Sequence, residues 1–125
     1  MKMTDGQAAP EALAAFCDEV AQLLSTGDFH ALASKFGYAL AFERDPATAI
    51  RDDLSAILTE LGAASFAPPS SLPSVSCFEP NDTALIASVE QRIPTNNGRH
   101  VLIELVVSEH AAERHLVLEQ ISAAD

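Results

Sequence analysis

The sequence contains little of several residue types, and each shortage excludes a class of protein. Among its 125 residues there is no tryptophan, one tyrosine and only two cysteines, so a disulfide framework is not supported. Seven basic residues stand against 18 acidic ones, for a formal net charge of −11. The basic residues are scattered singly along the chain. We therefore expect no nucleic-acid partner, because a polyanion would be repelled.

Long apolar runs and metal-ligand patterns are lacking as well. No apolar stretch approaches the ~18 residues of a membrane span, and the first residues lack the apolar core of a signal peptide. We expect a cytoplasmic protein without membrane contact. The four histidines form no i, i+4 pair on a helix and have no neighbouring cysteine, so we expect no metal and no other cofactor.

The first half of the chain has a globular composition and helical periodicity. Hydrophobic residues make up 48% of the sequence, and its length fits one domain over residues 1–125. Apolar residues recur at helical spacing over 10–27, over 28 to about 35 and over 45–62. An aspartate in N-cap position begins the second and third helices, and a glycine suited to a left-handed end closes the first and third.

The period of the apolar pattern changes to two after residue 74. Candidate strands cover 74–79, 83–94, 99–109 and 114–121, and a shorter extended piece covers 38–43. Turns are predicted at Pro80-Asn81-Asp82, at Asn97-Gly98 and around Ala111, and the Asn-Gly pair predicts a two-residue hairpin loop. Three helices followed by an antiparallel meander predict an α+β domain with the helices packed on the sheet.

Two segments in the helical half resemble a known family. Leu24-Ser-Thr-Gly-Asp-Phe-His-Ala-Leu32, followed by Phe36, is one, and Phe42-Glu-Arg-Asp-Pro-Ala-Thr-Ala-Ile50 is the other. With the order of elements around them, they resemble the NTF2-like superfamily, which includes SnoaL-type polyketide cyclases and ketosteroid isomerase. The resemblance implies a curved sheet wrapped into a cone, helices across its mouth, a pocket inside and a homodimer.

The sequence departs from that family at the positions that carry isomerase chemistry. The oxyanion-hole tyrosine of the isomerase, eight residues before the Gly-Asp aspartate, is Val20 here. Its general-base aspartate falls near Arg44-Asp45, and Asp45 is explained as a helix cap. The acid that completes the oxyanion hole has no match, and the hairpin between the second and third helices is reduced to one strand. The resemblance therefore implies the fold and not the isomerase reaction.

The two-residue hairpin sorts the side chains of its strands into two faces. It places Ile93 opposite Leu102 and Gln91 opposite Glu104, and we assign the face with Leu102 to the core. The opposite face then carries a row of four apolar residues, which predicts a homodimer interface: Val101, Ile103, Leu105 and Val107. The alternatives are that loops cover this row within a monomer, or that the strand slips by one residue and the assignment reverses.

On the face assigned to the core, polar residues would meet in an apolar setting, as in a small-molecule pocket. Gln91 and Glu104 are predicted neighbours, with Gln120 and Tyr38 close by. A carboxylate held there has a raised pKa, so Glu104 is the candidate general acid or base. Alternatively, Glu104 is solvated at the rim and Tyr38 is a core ring with a hydrated hydroxyl.

These features leave two hypotheses about function. The first is a homodimeric, non-catalytic module that binds a small apolar ligand or a protein partner. The second is a SnoaL-like enzyme of the isomerase, cyclase or dehydratase type, acting on a small carbonyl-containing molecule through Glu104. A second ionisable group facing Glu104 would favour the enzyme, and we favour the first hypothesis because the sequence offers none.

Overall fold

The computed structural model describes residues 1–3, 9–68, 72–78 and 84–124. The elements follow in this order: β1 (Lys2–Met3), α1 (Pro10–Thr26), α2 (Phe29–Phe36), a 3-10 turn (Ala39–Ala41), α3 (Pro46–Leu61), β2 (Ser74–Cys77), β3 (Leu85–Pro94), β4 (His100–His110) and β5 (Glu113–Ala123). The predicted α+β architecture is confirmed, with three helices followed by antiparallel strands that pack against them. The turn predicted at Pro80-Asn81-Asp82 lies outside the described residues.

The helices begin and end where their capping residues predict. The Asp28 carboxylate accepts a hydrogen bond from the Ala31 backbone N–H at 3.2 Å, and Asp45 accepts one from Thr48 at 3.1 Å. Each bond satisfies a backbone donor that has no partner within its helix. Gly27 and Gly62 close α1 and α3 in the left-handed conformation. Local sequence therefore fixes the three helices to within about one residue.

The strands form one five-stranded antiparallel sheet in the order β1-β5-β4-β3-β2. The short β1, which the apolar pattern did not predict, pairs with β5 through Lys2 and His115. The strand predicted over 38–43 is wrong. Only Tyr38 forms a bridge, to Leu118 of β5, before the chain turns into the 3-10 segment.

The three helices pack on one face of the sheet, which we call the inner face. Its strand residues share a single apolar cluster with all three helices. Among the largest fully buried side chains are Leu13, Leu24, Leu32, Phe36, Ile50, Val89, Ile103, Leu105, Leu116 and Leu118. The core therefore lies between this face and the helices.

The hairpin between β3 and β4 does not have the predicted two-residue loop. The Thr95 N–H donates to the Arg99 carbonyl at 2.8 Å, leaving a three-residue loop of Asn96, Asn97 and Gly98 between them. Gly98 has a φ of 82°, which fits a turn followed by a left-handed residue at a bulge. The asparagines also bind the end of α3. Asn97 Nδ2 donates to the Leu61 carbonyl at 2.9 Å, and Asn96 Oδ1 accepts from Ala64.

The longer loop shifts the register by one residue and reverses the faces of β4. Ile93 pairs with Val101, and Gln91 pairs with Ile103. The prediction that Val101, Ile103, Leu105 and Val107 lie on the outer face is wrong, because all four are fully buried beneath the helices at 0% exposure. Since successive side chains alternate between faces, Leu102, Glu104 and Val106 lie outside instead.

The predicted turn around Ala111 is confirmed, and it is the tighter of the two hairpin loops. His110 pairs with Glu113, so the loop contains only Ala111 and Ala112. Both have positive φ, 51° and 66°, as a type I′ turn requires. The conformation predicted for Asn97-Gly98 is thus adopted by two alanines.

Candidate functional site

The four residues predicted to line one pocket lie in three different places. Gln91 is on the inner face, 3% exposed, and its Nε2 donates to Asp18 Oδ1 of α1 at 3.2 Å. Glu104 and Gln120 are paired neighbours on the outer face. Tyr38 lies at the free edge of β5, beside the 3-10 turn. The predicted meeting of Gln91 and Glu104 depended on the two-residue loop and is wrong.

Tyr38 belongs to a polar network that the sequence pattern did not reveal. Its hydroxyl donates to Asp53 Oδ2 at 2.6 Å. The Arg44 guanidinium donates to both oxygens of the same carboxylate, at 2.9 and 3.2 Å. The hydrogen bonds from Arg44 hold the pKa of Asp53 below its usual value, while burial and the bond to Asp53 raise the pKa of Tyr38. The Tyr38 hydroxyl is thus engaged by a carboxylate that accepts three hydrogen bonds.

The same network fixes a strained turn. Arg44 also donates to the Leu40 and Ala41 carbonyls at 2.7 and 3.2 Å. Between Ala41 and Arg44, Phe42 has φ 55° and ψ −117° and is 81% exposed. This is the position of a type II′ turn that glycine normally occupies. The network therefore holds an aromatic residue in a conformation that it would not adopt alone.

The outer face of the sheet is where two of the predicted site residues, Glu104 and Gln120, meet. Its central strands carry both apolar and charged side chains: Glu90, Arg92, Leu102, Glu104, Val106 and Val117. Val106 is only 8% exposed, yet it lies outside the core cluster on the inner face. Leu102 and Val117 are half-buried. In the described part of the chain, the helices all pack against the other face.

Three carboxylates lie together near the middle of this face. Glu104 pairs directly with Glu90 on β3 and with Gln120 on β5. The two strands shift register just after this point, leaving Glu119 as the additional residue of a β-bulge. Burial raises the pKa of Glu104, and the hydrogen-bonding contact with Glu90 and the negative charges of Glu90 and Glu119 raise it further. Glu104 thus has the raised pKa predicted for it, although on the opposite face from the helices.

Grooves lie beside the outer face and beside α1. The first, of about 190 Å³, runs between Leu72 and Leu102, with Glu90 and Arg92 in its wall. It is smaller than the ~300–1,000 Å³ typical of small-molecule sites. The other, of about 360 Å³, lies beside α1 and is lined by Asp18, Ala21, Gln22 and Ser25. Neither groove brings Tyr38, Gln91 and Glu104 together.

Two further properties concern the described ranges as a whole. None of their helices is long and apolar enough to cross a membrane. They also contain no group of three or more histidine, cysteine or acidic side chains placed to hold a metal ion.

Comparison with protein-family models, curated proteins and solved structures found no match to this chain. The site must therefore be interpreted from its own geometry.

The sequence analysis missed Glu90 and Glu119 in the carboxylate cluster and Asp53 and Arg44 in the network around Tyr38. The position of Glu90 opposite Glu104 follows from the register of β3 and β4. The sequence signal for that register was Asn96 preceding Asn97-Gly98, which makes a three-residue loop possible. Asp53 has a charged neighbour at Asp52, and the two look alike on a helical pattern. Only the position of Tyr38 at the edge of β5 distinguishes them.

Proposed function

We propose that the protein is a non-catalytic binding module of the NTF2-like type that forms a homodimer through the outer face of its sheet. The observation that carries the proposal is the apolar row formed by Leu102, Val106 and Val117 on a face that lies away from the helices. Apolar patches of this kind on a soluble domain usually mark a partner surface. The NTF2-like resemblance supports the same fold and the same mode of assembly.

The size of the outer face is compatible with a small interface to a second copy of the chain. β3, β4 and β5 are 10, 11 and 11 residues long. With ~3.3 Å per residue and ~4.8 Å between strands, they present a surface of roughly 500 Å². That is of the same order as the ~800 Å² that each partner buries in a typical stable interface. Because a two-fold interface uses the same patch on both copies, one apolar row is sufficient.

The enzyme hypothesis has less support from the described residues. A proton-transfer group in a pocket would need a substrate site and a second ionisable group facing it. Glu104 does have ionisable neighbours in Glu90 and Glu119, but they lie on an open face beside a groove of only about 190 Å³. Tyr38 is engaged by Asp53. A small apolar ligand is the less favoured partner of the module, because the groove between Leu72 and Leu102 is below the usual size of a small-molecule site and has Glu90 and Arg92 in its wall.

Sedimentation equilibrium over a range of protein concentrations tests the proposed dimer. The wild type is expected to dimerise, and Leu102→Asp is expected to remain a folded monomer because it places a carboxylate in the apolar row. Phe42→Asp is the control, since it introduces the same charge at an apolar residue that lies in the turn after the 3-10 segment, outside the sheet. The proposal fails if the wild type is monomeric in both neutral and mildly acidic buffer, or if Leu102→Asp dimerises as well as the control.

A further inference from the structure

The carboxylates of the outer face lie within the surface that the proposed dimer would bury. Glu104 is half-buried in the single chain, two residues from Leu102 and two from Val106 on the same side of β4. Its cross-strand neighbours are Glu90 and Gln120. Packing a second copy against Leu102 and Val106 therefore also covers Glu104.

The charged groups that face Glu104 from the neighbouring strands are mostly negative. β3 contributes Glu90, and β5 contributes Glu119. Arg92 lies two pairs further along β3, opposite Leu102, and its positive charge is not among the influences that shift the pKa of Glu104. In a two-fold dimer this group of carboxylates occurs twice in one interface.

Burying like charges together is costly unless some of them are neutralised. A proton shared between Glu90 and Glu104 removes one negative charge and converts a repulsive contact into a hydrogen bond. The pKa of Glu104 is already raised from the usual 4.5 in the single chain. Removal of water by a partner acts in the same direction.

We infer that formation of the outer-face dimer is coupled to proton uptake at the Glu90–Glu104 pair, so that acid strengthens the dimer. This inference rests on the proposed dimer. The sign follows from linkage: if the dimer binds more protons than two separate chains, a fall in pH favours it. The effect operates above the pKa of Glu104 in the single chain, and it is complete once the free chains are protonated as well.

The dissociation constant of the dimer is measured by sedimentation equilibrium from about pH 7.5 to about pH 5.5. For one proton per chain, the wild-type constant is expected to fall by up to about 100-fold per pH unit within the coupled range. Glu104→Gln is expected to dimerise more tightly than the wild type near neutral pH and to lose most of the pH dependence. The substitution keeps the shape of the side chain, so it should fold normally.

Glu60→Gln is the matched control, because Glu60 is exposed on α3 away from the sheet face. It removes the same charge and should leave the pH dependence of the wild type intact. Equal effects of the two variants would show that only net charge matters and would overturn the inference.

The inference and the proposed function can fail separately. If Leu102→Asp is monomeric while wild type and Glu104→Gln show the same pH-independent constant, the dimer stands and proton uptake is refuted. If Leu102→Asp dimerises like the wild type, the proposed interface is wrong and the inference fails with it.

Discussion

Asp53 of α3 is the centre of the polar network around Tyr38. It accepts one bond from Tyr38 and two from Arg44, and its side chain is 28% exposed. These bonds connect α3 to the turn that follows Tyr38, and so to the edge of β5. We interpret the network as structural, because it supports the strained backbone at Phe42.

Asp53→Asn is expected to lower the free energy of unfolding by about 2 kcal/mol at neutral pH, because bonds to a charged acceptor are lost or weakened. The pKa of Asp53 is lowered in the folded state from 3.8. Its contribution is therefore complete above that value and is lost as the pH falls through the folded-state pKa. Denaturant unfolding at neutral and at acid pH should show the difference between wild type and variant shrinking in acid.

Asp52→Asn provides the control for this substitution. Asp52 is the adjacent residue of α3, and it forms an ion pair with exposed Arg51 at 3.3 Å. An exposed pair of this kind contributes about 0–1 kcal/mol. If Asp52→Asn and Asp53→Asn destabilise equally, the network around Tyr38 does not have the structural role assigned to it.

Two short hairpin loops set the register of the three long strands. The β4–β5 hairpin relies on two alanines with positive φ, and the β3–β4 hairpin relies on Asn96, Asn97 and Gly98. In the second case the asparagine side chains bind the end of α3. That tertiary contact favours the three-residue loop over the two-residue loop that Asn-Gly alone would form.

Ala112→Gly is expected to stabilise the protein by about 0.5–1 kcal/mol. Glycine removes the steric cost of a positive φ, although it also gives the unfolded chain more freedom. Gly98→Ala should have the opposite sign, because a Cβ there meets open space but the φ of 82° is unfavourable for alanine. Chemical denaturation of both variants checks the pair. A loss of stability in Ala112→Gly would contradict the turn geometry.

The elements themselves could largely be predicted from sequence, whereas the site could not. Helix limits followed from local signals such as Asp28 and Asp45, which act within a few residues. The face of β4 depended on one residue in one loop, and an error there moves every side chain of the strand to the other side. Burial is the largest cause of the raised pKa of Glu104, as predicted, and Gln120 is its neighbour as predicted, but Glu90 stands in the place predicted for Gln91.

At the scale of the whole molecule, the two faces of the sheet have different proposed roles. The inner face is buried against the helices in the core, and the outer face combines an apolar row with an acidic centre. Each chain carries a net charge of −11, so two copies repel one another at neutral pH. Acid reduces this repulsion in general, and protonation of the Glu90–Glu104 pair reduces it within the interface.

Cysteine cross-linking is the first test of a dimer through the outer face, because it reports which face of one copy meets the other. The exposed Cys77 is first replaced by serine, while Cys17 is buried and can remain. A single cysteine is then placed on the outer face as Ser88→Cys, or on the helical side as Ser34→Cys, and each variant is treated with a long, flexible bis-maleimide in mildly acidic buffer. A dimer through the outer face is expected to give covalent dimers for Ser88→Cys and few for Ser34→Cys. Dimers formed only through Ser34→Cys, or through neither position in a sample that sedimentation shows to be dimeric, would contradict it.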